Sequence, residues 1–472
     1  MSAEKIYAIK IKVAENGISI IWGGDAPDLK PGLLNKNSMK LELSVTRIFH
    51  KVLNRGKREL LEIFEKNDFE VLGNMLFKIL LSEEAVRSFL YGRLALITRD
   101  QQARCRMLIE FDPNAYDLAA LPWEYLLIQQ DAEKNISPFF WAADRNRQFD
   151  LIRYVAPDFP PAVQPLITES QSLNVILVIN NPSDKPIDKT RMISCLKKLR
   201  TDHKSFNLYT DENLINPPFT KLKERLTEYL KFIDGPYVLH FYGHAQMHKE
   251  QAGIFFNSAS DTAEEVKGDD FADLFDRGGR DNFRQPDLVV LQACESGQVG
   301  EKGNGIGFLL AKKGIPAVVA MQNEVTEDAS ENFVREFYLS LLKGDNVAHA
   351  VTNGRTFMAI NYNKDAENPE EHYCDNTFGA PIVFISSESP FYLLPPQQRS
   401  VMKKNSKKCR KCGFYYDDIS LDTCIQNGGR CGGELILVSE AEQGASVGID
   451  KLESRPTKVL IADNVPRSSS AN

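Results

Sequence analysis

Residues 173–180, LNVILVIN, run almost unbroken through apolar side chains and stop at Asn181-Pro182. A strand with one wet face alternates apolar and polar residues. A continuous run fits a strand covered on both faces, as in a parallel sheet. Similar runs recur at 237–242 (YVLHFY), 253–257 (GIFFN), 287–292 (DLVVLQ), 315–321 (IPAVVAM) and 381–385. Helical stretches separate them, at 188–200, 219–233, 269–277, 304–313, 327–343 and 345–360. Within 219–233, Leu222, Leu226, Tyr229 and Leu230 share one side. Such alternation builds an α/β fold, a mostly parallel sheet flanked by helices.

The segments around this block read differently. Residues 6–22 alternate on both sides of Asn16-Gly17, which predicts a β-hairpin with positive φ at the turn. Helical spacing over 57–90 and a strand at 104–111 complete an N-terminal α/β region, 1–165. The parallel block occupies 166–395. A Pro-containing basic linker and a cysteine-rich module follow at 396–440, and a polar, Ser-ended tail at 441–472 is expected to be disordered.

Composition excludes several classes. Of the 472 residues, 43% are hydrophobic and 26% charged, which suits neither a disordered chain, a collagen nor a membrane bundle. The net charge of −7 does not suit a molecule that coats nucleic acid, so any such site must be local. No apolar run reaches the roughly 18 residues of a spanning helix, and the start MSAEKIYAIKIKV lacks signal-peptide features. The expected compartment is the cytoplasm, where cysteines stay reduced.

Reactive groups of an α/β sheet gather at the carboxyl ends of its strands. There, 237–242 runs into Gly243-His244-Ala245 and 287–292 into Ala293-Cys294-Glu295-Ser296-Gly297. A thiol near neutral pH needs a base, and imidazole has the matching pKa. Backbone N–H groups at Ala245 and Cys294 can face a developing oxyanion. Either residue alone reads as a core histidine or a buried thiol; the pair between these strands reads as a dyad. His240 is taken as core and His248 as a loop residue, because His240 and His244 on one strand would stand about 13 Å apart, too far for one metal ion.

LHFYGHA and VVLQACESG, 50 residues apart at His244 and Cys294, resemble the caspase-like superfamily, clan CD of the cysteine peptidases. The similarity is closer to the CHAT family, related to separase. LAALPWEYLL (118–127), GNGIGFLLAKKGIPAVVAMQNEV (303–325), ENFVREFYLSLLKGDNVAHAVTNGR (331–355) and FGAPIVF (378–384) carry it further, over about 60–395. The resemblance implies a cysteine endopeptidase, with His244 as base, Cys294 as nucleophile, and the N–H groups of Ala245 and Cys294 as oxyanion hole. It departs from the family at Ala245, where glycine is usual. It also departs at Gln292, where relatives that cut after Arg often carry Asp. Gln292 and Glu295 are the candidate substrate-pocket residues, with a basic P1 residue as the family's lean. The resemblance further implies a dedicated protein substrate, a setting in bacterial immunity, and a degenerate caspase-like character for the N-terminal region. With no ligand fingerprint in 1–165 or 396–440, an activating partner in trans is expected.

Cys409-x2-Cys412-x11-Cys424-x6-Cys431 offers four thiolates among glycines. A module of about 30 residues buries too little surface to fold alone. Structural Zn2+ in a zinc-ribbon-like unit would supply the difference. Lys403, Lys404, Lys407, Lys408, Arg410 and Lys411 flank it without an acid between them. The run suits a solvated linker, a protein-docking site or a nucleic-acid contact. Alternatives to the peptidase are therefore a catalytically silent adaptor of a defence complex and a zinc-dependent nucleic-acid-binding regulator. Metal analysis of the purified chain is expected to give one zinc per chain, lost in Cys424→Ser; metal-free wild-type protein would exclude the module's proposed metal.

Overall fold

A computed structural model of the chain describes residues 5–23, 28–34, 39–54, 66–99, 103–144, 148–158, 172–233, 235–248, 251–276, 283–300, 302–360 and 376–386, together with three short strands between 407 and 437. The first strands are β1 (Lys5–Val13), β2 (Gly17–Gly23), β3 (Asp28–Leu33) and β4 (Ala103–Phe111). Next come a two-residue pair, β5 (Leu127–Ile128) and β6 (Phe139–Phe140), then β7 (Phe149–Tyr154), β8 (Leu173–Ile179), β9 (Phe206–Tyr209) and β10 (Tyr237–Tyr242). The series continues with β11 (Ala245–Met247), β12 (Ala252–Asn257), β13 (Ala263–Lys267), β14 (Leu288–Gln292), β15 (Ala317–Met321) and β16 (Pro381–Ile385). Last are β17 (Lys407–Cys409), β18 (Tyr415–Tyr416) and β19 (Leu435–Leu437), a small antiparallel sheet of their own.

Eleven strands form one sheet in the order β3-β2-β1-β4-β7-β16-β15-β14-β10-β8-β9. It contains two parallel blocks. One is β1, β4, β7 and β16; the other is β15, β14, β10, β8 and β9. They meet antiparallel at β15 and β16, with Val319 opposite Val383. The last strand of the body thus lies in the middle of the sheet, and the sheet runs without a break from the N-terminal region into the block that follows it.

Alternate residues of the central strands enter two cores. Leu177, Val238, Val290 and Val319 join one, with Phe333, Phe337 and Tyr338 of the helix Glu327–Lys343. Val178, Leu239, Val289 and Val318 join the other, with Leu222 and Leu226 of Phe219–Leu230 and Leu310 of Ile306–Lys312. This two-sided burial is why the strands read as continuous apolar runs. Each fully buried Val, Leu or Phe contributes about 1.5–3 kcal/mol.

Some elements differ from the sequence reading. The hairpin forms, with Val13 opposite Ile18, yet neither Asn16 nor Gly17 takes positive φ. The turn closes instead through the Ala14 N–H on the Gly17 carbonyl, at 2.9 Å. The single helix read over 57–90 is two helices, Lys66–Leu80 and Glu84–Ile97; residues 57–65 lie outside the described residues. The strand read at 253–257 leaves the main sheet and pairs antiparallel with β11 and β13. The helix Lys40–Asn54 and strands β7 and β9 carry no apolar run long enough to announce them. Among the described residues no helix is long and apolar enough to cross a membrane. The tail 441–472 lies outside the described residues.

Charges are buried between the two blocks. Glu124, in the 3-10 turn Trp123–Tyr125, is fully buried. Its Oε1 accepts from Arg153 Nε at 3.0 Å, its Oε2 accepts from Arg153 Nη2, and Arg355 Nη2 lies 3.8 Å from Oε1. Nearby, His349 Nδ1 lies 3.2 Å from Asp150 Oδ1, which also accepts from Thr352 at 2.9 Å. Removing one partner of such a pair strands the other in a low-dielectric interior. Arg153→Met is expected to cost about 3–5 kcal/mol of stability, read as a lower urea midpoint; an unchanged midpoint would show that Arg355 alone neutralises Glu124.

Candidate active site

Parallel pairing of β10 with β14 sets Tyr242 opposite Gln292. Just beyond, the Gly243 N–H donates to the Gln292 carbonyl at 3.2 Å, and the Asn180 N–H donates to the Tyr242 carbonyl at 2.9 Å. His244 and Cys294 each follow two residues after that register pair. They therefore leave the same end of two strands separated by about 4.8 Å, the usual strand spacing. Gly243 is required there: a Cβ would meet the Phe241 ring at 2.8 Å and the Asn180 carbonyl at 3.1 Å.

His244 is partly buried, and its Nε2 lies 2.9 Å from the Lys185 carbonyl oxygen. A carbonyl only accepts, so Nε2 carries the hydrogen and Nδ1 keeps its lone pair. Burial holds the imidazole below its ordinary pKa, and the Lys185 carbonyl bond opposes that effect. A neutral imidazole with one nitrogen tethered and the other unprotonated is the form of a general base. The tether is itself anchored. Ile187 N–H donates to Asn181 Oδ1 at 2.7 Å, Ala263 N–H to Asp184 Oδ1 at 2.7 Å, and Lys185 Nζ sits 3.6 Å from the centre of the Phe255 ring.

Cys294 is a free, partly exposed thiol. Burial pushes its pKa up to about 12, and the carboxylates of Glu324 and Glu295 add to the rise; the N–H groups of Val325 and of Cys294 itself favour the thiolate. Glu295 adopts φ 61°, in the left-handed region, and its Oε2 accepts the Met247 N–H at 2.7 Å. Burial raises the Glu295 and Glu324 carboxyls, and Glu295 raises Glu324 further. This arrangement keeps the thiol protonated near neutral pH.

The remaining sequence candidates fall as follows. Ala245 is buried at the start of β11, opposite Ile254. Gln292 is 4% exposed and faces the helix Glu327–Lys343. Its Oε1 lies 2.7 Å from His240 Nε2, and its Nε2 donates to Ser330 Oγ. Fully buried His240 is core, as read: burial pushes it down to about 4, against the Gln292 bond, and Tyr338 Oη lies 3.0 Å from its Nδ1. His248 is exposed, with Nε2 2.7 Å from Glu265 Oε1. Cys409 ends β17; Cys412, Cys424 and Cys431 lie outside the described residues. Among the described residues no group of three or more His, Cys, Asp or Glu side chains could hold a metal ion.

Three contributors went unread in the sequence: the Lys185 carbonyl, the Val325 N–H and Glu324. Two act through the backbone, so their side chains carry no signal. Glu324 follows the carboxyl end of β15, where the rule that found His244 and Cys294 also applies.

A large, mostly parallel sheet with His244 and Cys294 beyond the same end of two neighbouring strands defines an α/β protein. The CHAT domain family matches residues 70–392, about two-thirds of the sequence, and the chain belongs to that family. Comparison with curated proteins finds no match. Among solved structures, the chain is similar to Saccharomyces cerevisiae separase in its complex with securin. In one crystal structure the identity is 10% and the TM-score 0.42, over 82% of this chain and 30% of that one. In a second they are 12% and 0.35, over 76% and 22%. The chain thus spans under a third of the separase chain.

Removing a neighbouring negative charge favours a thiolate. Glu324→Gln is therefore expected to lower the pH at which iodoacetamide alkylates Cys294, read peptide by peptide in mass spectrometry. An unmoved or raised midpoint would remove Glu324 from the thiol's surroundings.

Proposed function

We propose that the chain is a cysteine endopeptidase working through a His244–Cys294 dyad. The observation that carries this reading is the joint exit of both residues from register-paired strands, with Nε2 of His244 held by the Lys185 carbonyl. Nδ1 of His244 takes the Sγ proton of Cys294, and the thiolate adds to the scissile carbonyl carbon. The backbone N–H groups of Ala245 and Cys294 receive the oxyanion. Collapse breaks the C–N bond, and the imidazolium donates its proton to the leaving amine. Water then hydrolyses the thioester, with His244 again as base, and frees the thiol. Pocket roles for Gln292 and Glu295 differ in support: the buried amide of Gln292 is engaged with His240 and Ser330, whereas Glu295 borders the thiol.

The substrate in this reading is a protein, cut in the cytoplasm as part of a bacterial defence response, and an activating partner works in trans. Cys409, Cys412, Cys424 and Cys431 would hold one structural Zn2+, supported by their spacing and by the small β17–β19 sheet that ends one strand at Cys409. The protonated resting thiol supports latency, and it equally favours the second reading, a silent adaptor.

N-terminal labelling mass spectrometry separates the two readings. Host lysate containing the proteins encoded beside this gene would be treated with wild-type protein or Cys294→Ala. New N-termini in the wild-type sample alone are expected, and the residue preceding them gives P1. Identical N-termini in both samples would favour the adaptor.

A further inference from the structure

We propose that Glu124 is a positioning residue for the Cys294 thiol, acting through Gln322. The inference rests on the peptidase reading and extends it to a residue of the N-terminal region, in the LAALPWEYLL segment.

The path is short and buried. Glu124 Oε2 accepts from Gln322 Nε2 at 3.0 Å, while both its oxygens also meet Arg153. Gln322 immediately follows β15 and is 1% exposed. Its Nε2 also donates to the Gly379 carbonyl, and its N–H donates to the Ala380 carbonyl at 2.8 Å. From Gln322 two routes reach the thiol. Its carbonyl accepts from Gln298 Nε2 at 3.1 Å, and the adjoining Met321 carbonyl accepts the Gly297 N–H at 2.8 Å. Met321 N–H in turn donates to Ser296 Oγ at 3.2 Å. These bonds fix residues 296–298, which follow Cys294. The second route is the chain itself: residues 323–325 continue from Gln322 and bring Glu324 and the Val325 N–H against the thiol.

Arg153 with Arg355 already balances the Glu124 charge, so the bond to Gln322 is not needed for neutrality. Its effect is positional. A carboxylate between two guanidiniums in a low-dielectric interior is a stiff anchor, because moving it would unpair buried charges. The loop after β15 inherits that stiffness. Gly297 marks how closely the two loops pack: a Cβ there would stand 3.0 Å from Gln322 N.

The test is the pH profile of Cys294 alkylation by iodoacetamide on the full-length protein, resolved by peptide mass, with the melting temperature measured alongside. Gln322→Met keeps the side-chain length, drops both amide bonds and leaves Glu124 with its arginines. The loop should then carry Glu324 off the thiol and admit water. The midpoint should fall by about one pH unit, the common scale of environmental shifts. Where Gln322→Met does not fold, Gln298→Met, which removes only the tie on the Gln322 carbonyl, gives the reading, with the same direction expected. A lowered melting temperature with the wild-type midpoint would mean a purely structural link and overturn the proposal. Comparison of wild-type protein with Cys294→Ala in the lysate containing the neighbouring gene products tests the peptidase reading separately: the absence of Cys294-dependent new N-termini would sink that reading, whatever Gln322→Met does.

Discussion

The parallel register of β10 and β14 is the constraint on which the site depends. Two short hydrogen-bonded strands convert a separation of 50 residues into one strand spacing, and they do so at the end where loops are free to carry side chains. Nothing in either loop alone would bring an imidazole to a thiol. The pairing is rigid because it is covered on both sides by apolar layers, so the loops vary against a fixed base. Gly243 lets the His244 loop turn tightly over Phe241, and Gly297 lets the Cys294 loop lie on β15.

The same burial acts on the two partners in opposite senses. It keeps His244 neutral, which suits a base, and it keeps Cys294 protonated, which does not suit a nucleophile. Glu295 and Glu324 widen that gap. The site therefore combines a neutral imidazole with a protonated thiol, and drawing the acids away or neutralising them would favour the thiolate. Glu295 is well placed for such a change. Its left-handed backbone is sterically costly for a residue with a Cβ, and its carboxylate is held by one N–H, that of Met247.

Much of this was legible because the central strands carry unbroken apolar runs: β8, β10, β14, β15 and β16 all announced themselves, and so did the positions of His244 and Cys294 at two strand ends. The misses have physical causes. β9, at the sheet edge, is half-buried and alternates as FNLY. β12 is apolar enough to pass for a central strand, yet it is buried by folding over the sheet rather than within it. Asn16-Gly17 marked the right hairpin for the wrong reason, since its turn uses no positive φ. The Lys185 carbonyl could not be read at all, because a backbone oxygen is present at every residue and only the fold selects one.

The place of β16 bears on how the molecule comes into being. Residues 381–385 are the last strand of the body to leave the ribosome, and they pair with β15 on one side and β7 on the other. Until they arrive, both parallel blocks expose an unpaired central edge, the kind of surface that invites mispairing. Gly379 and Ala380, whose carbonyls hold Gln322 just after β15, also come late, as does Arg355, whose Nε donates to the Pro381 carbonyl of β16. The thiol and imidazole are synthesised well before the strand that joins the two blocks. A chain ending short of Gly379 and β16 therefore lacks the carbonyls of Gly379 and Ala380 that hold Gln322, so the loop beside Cys294 gains its last ties only when the whole body is present.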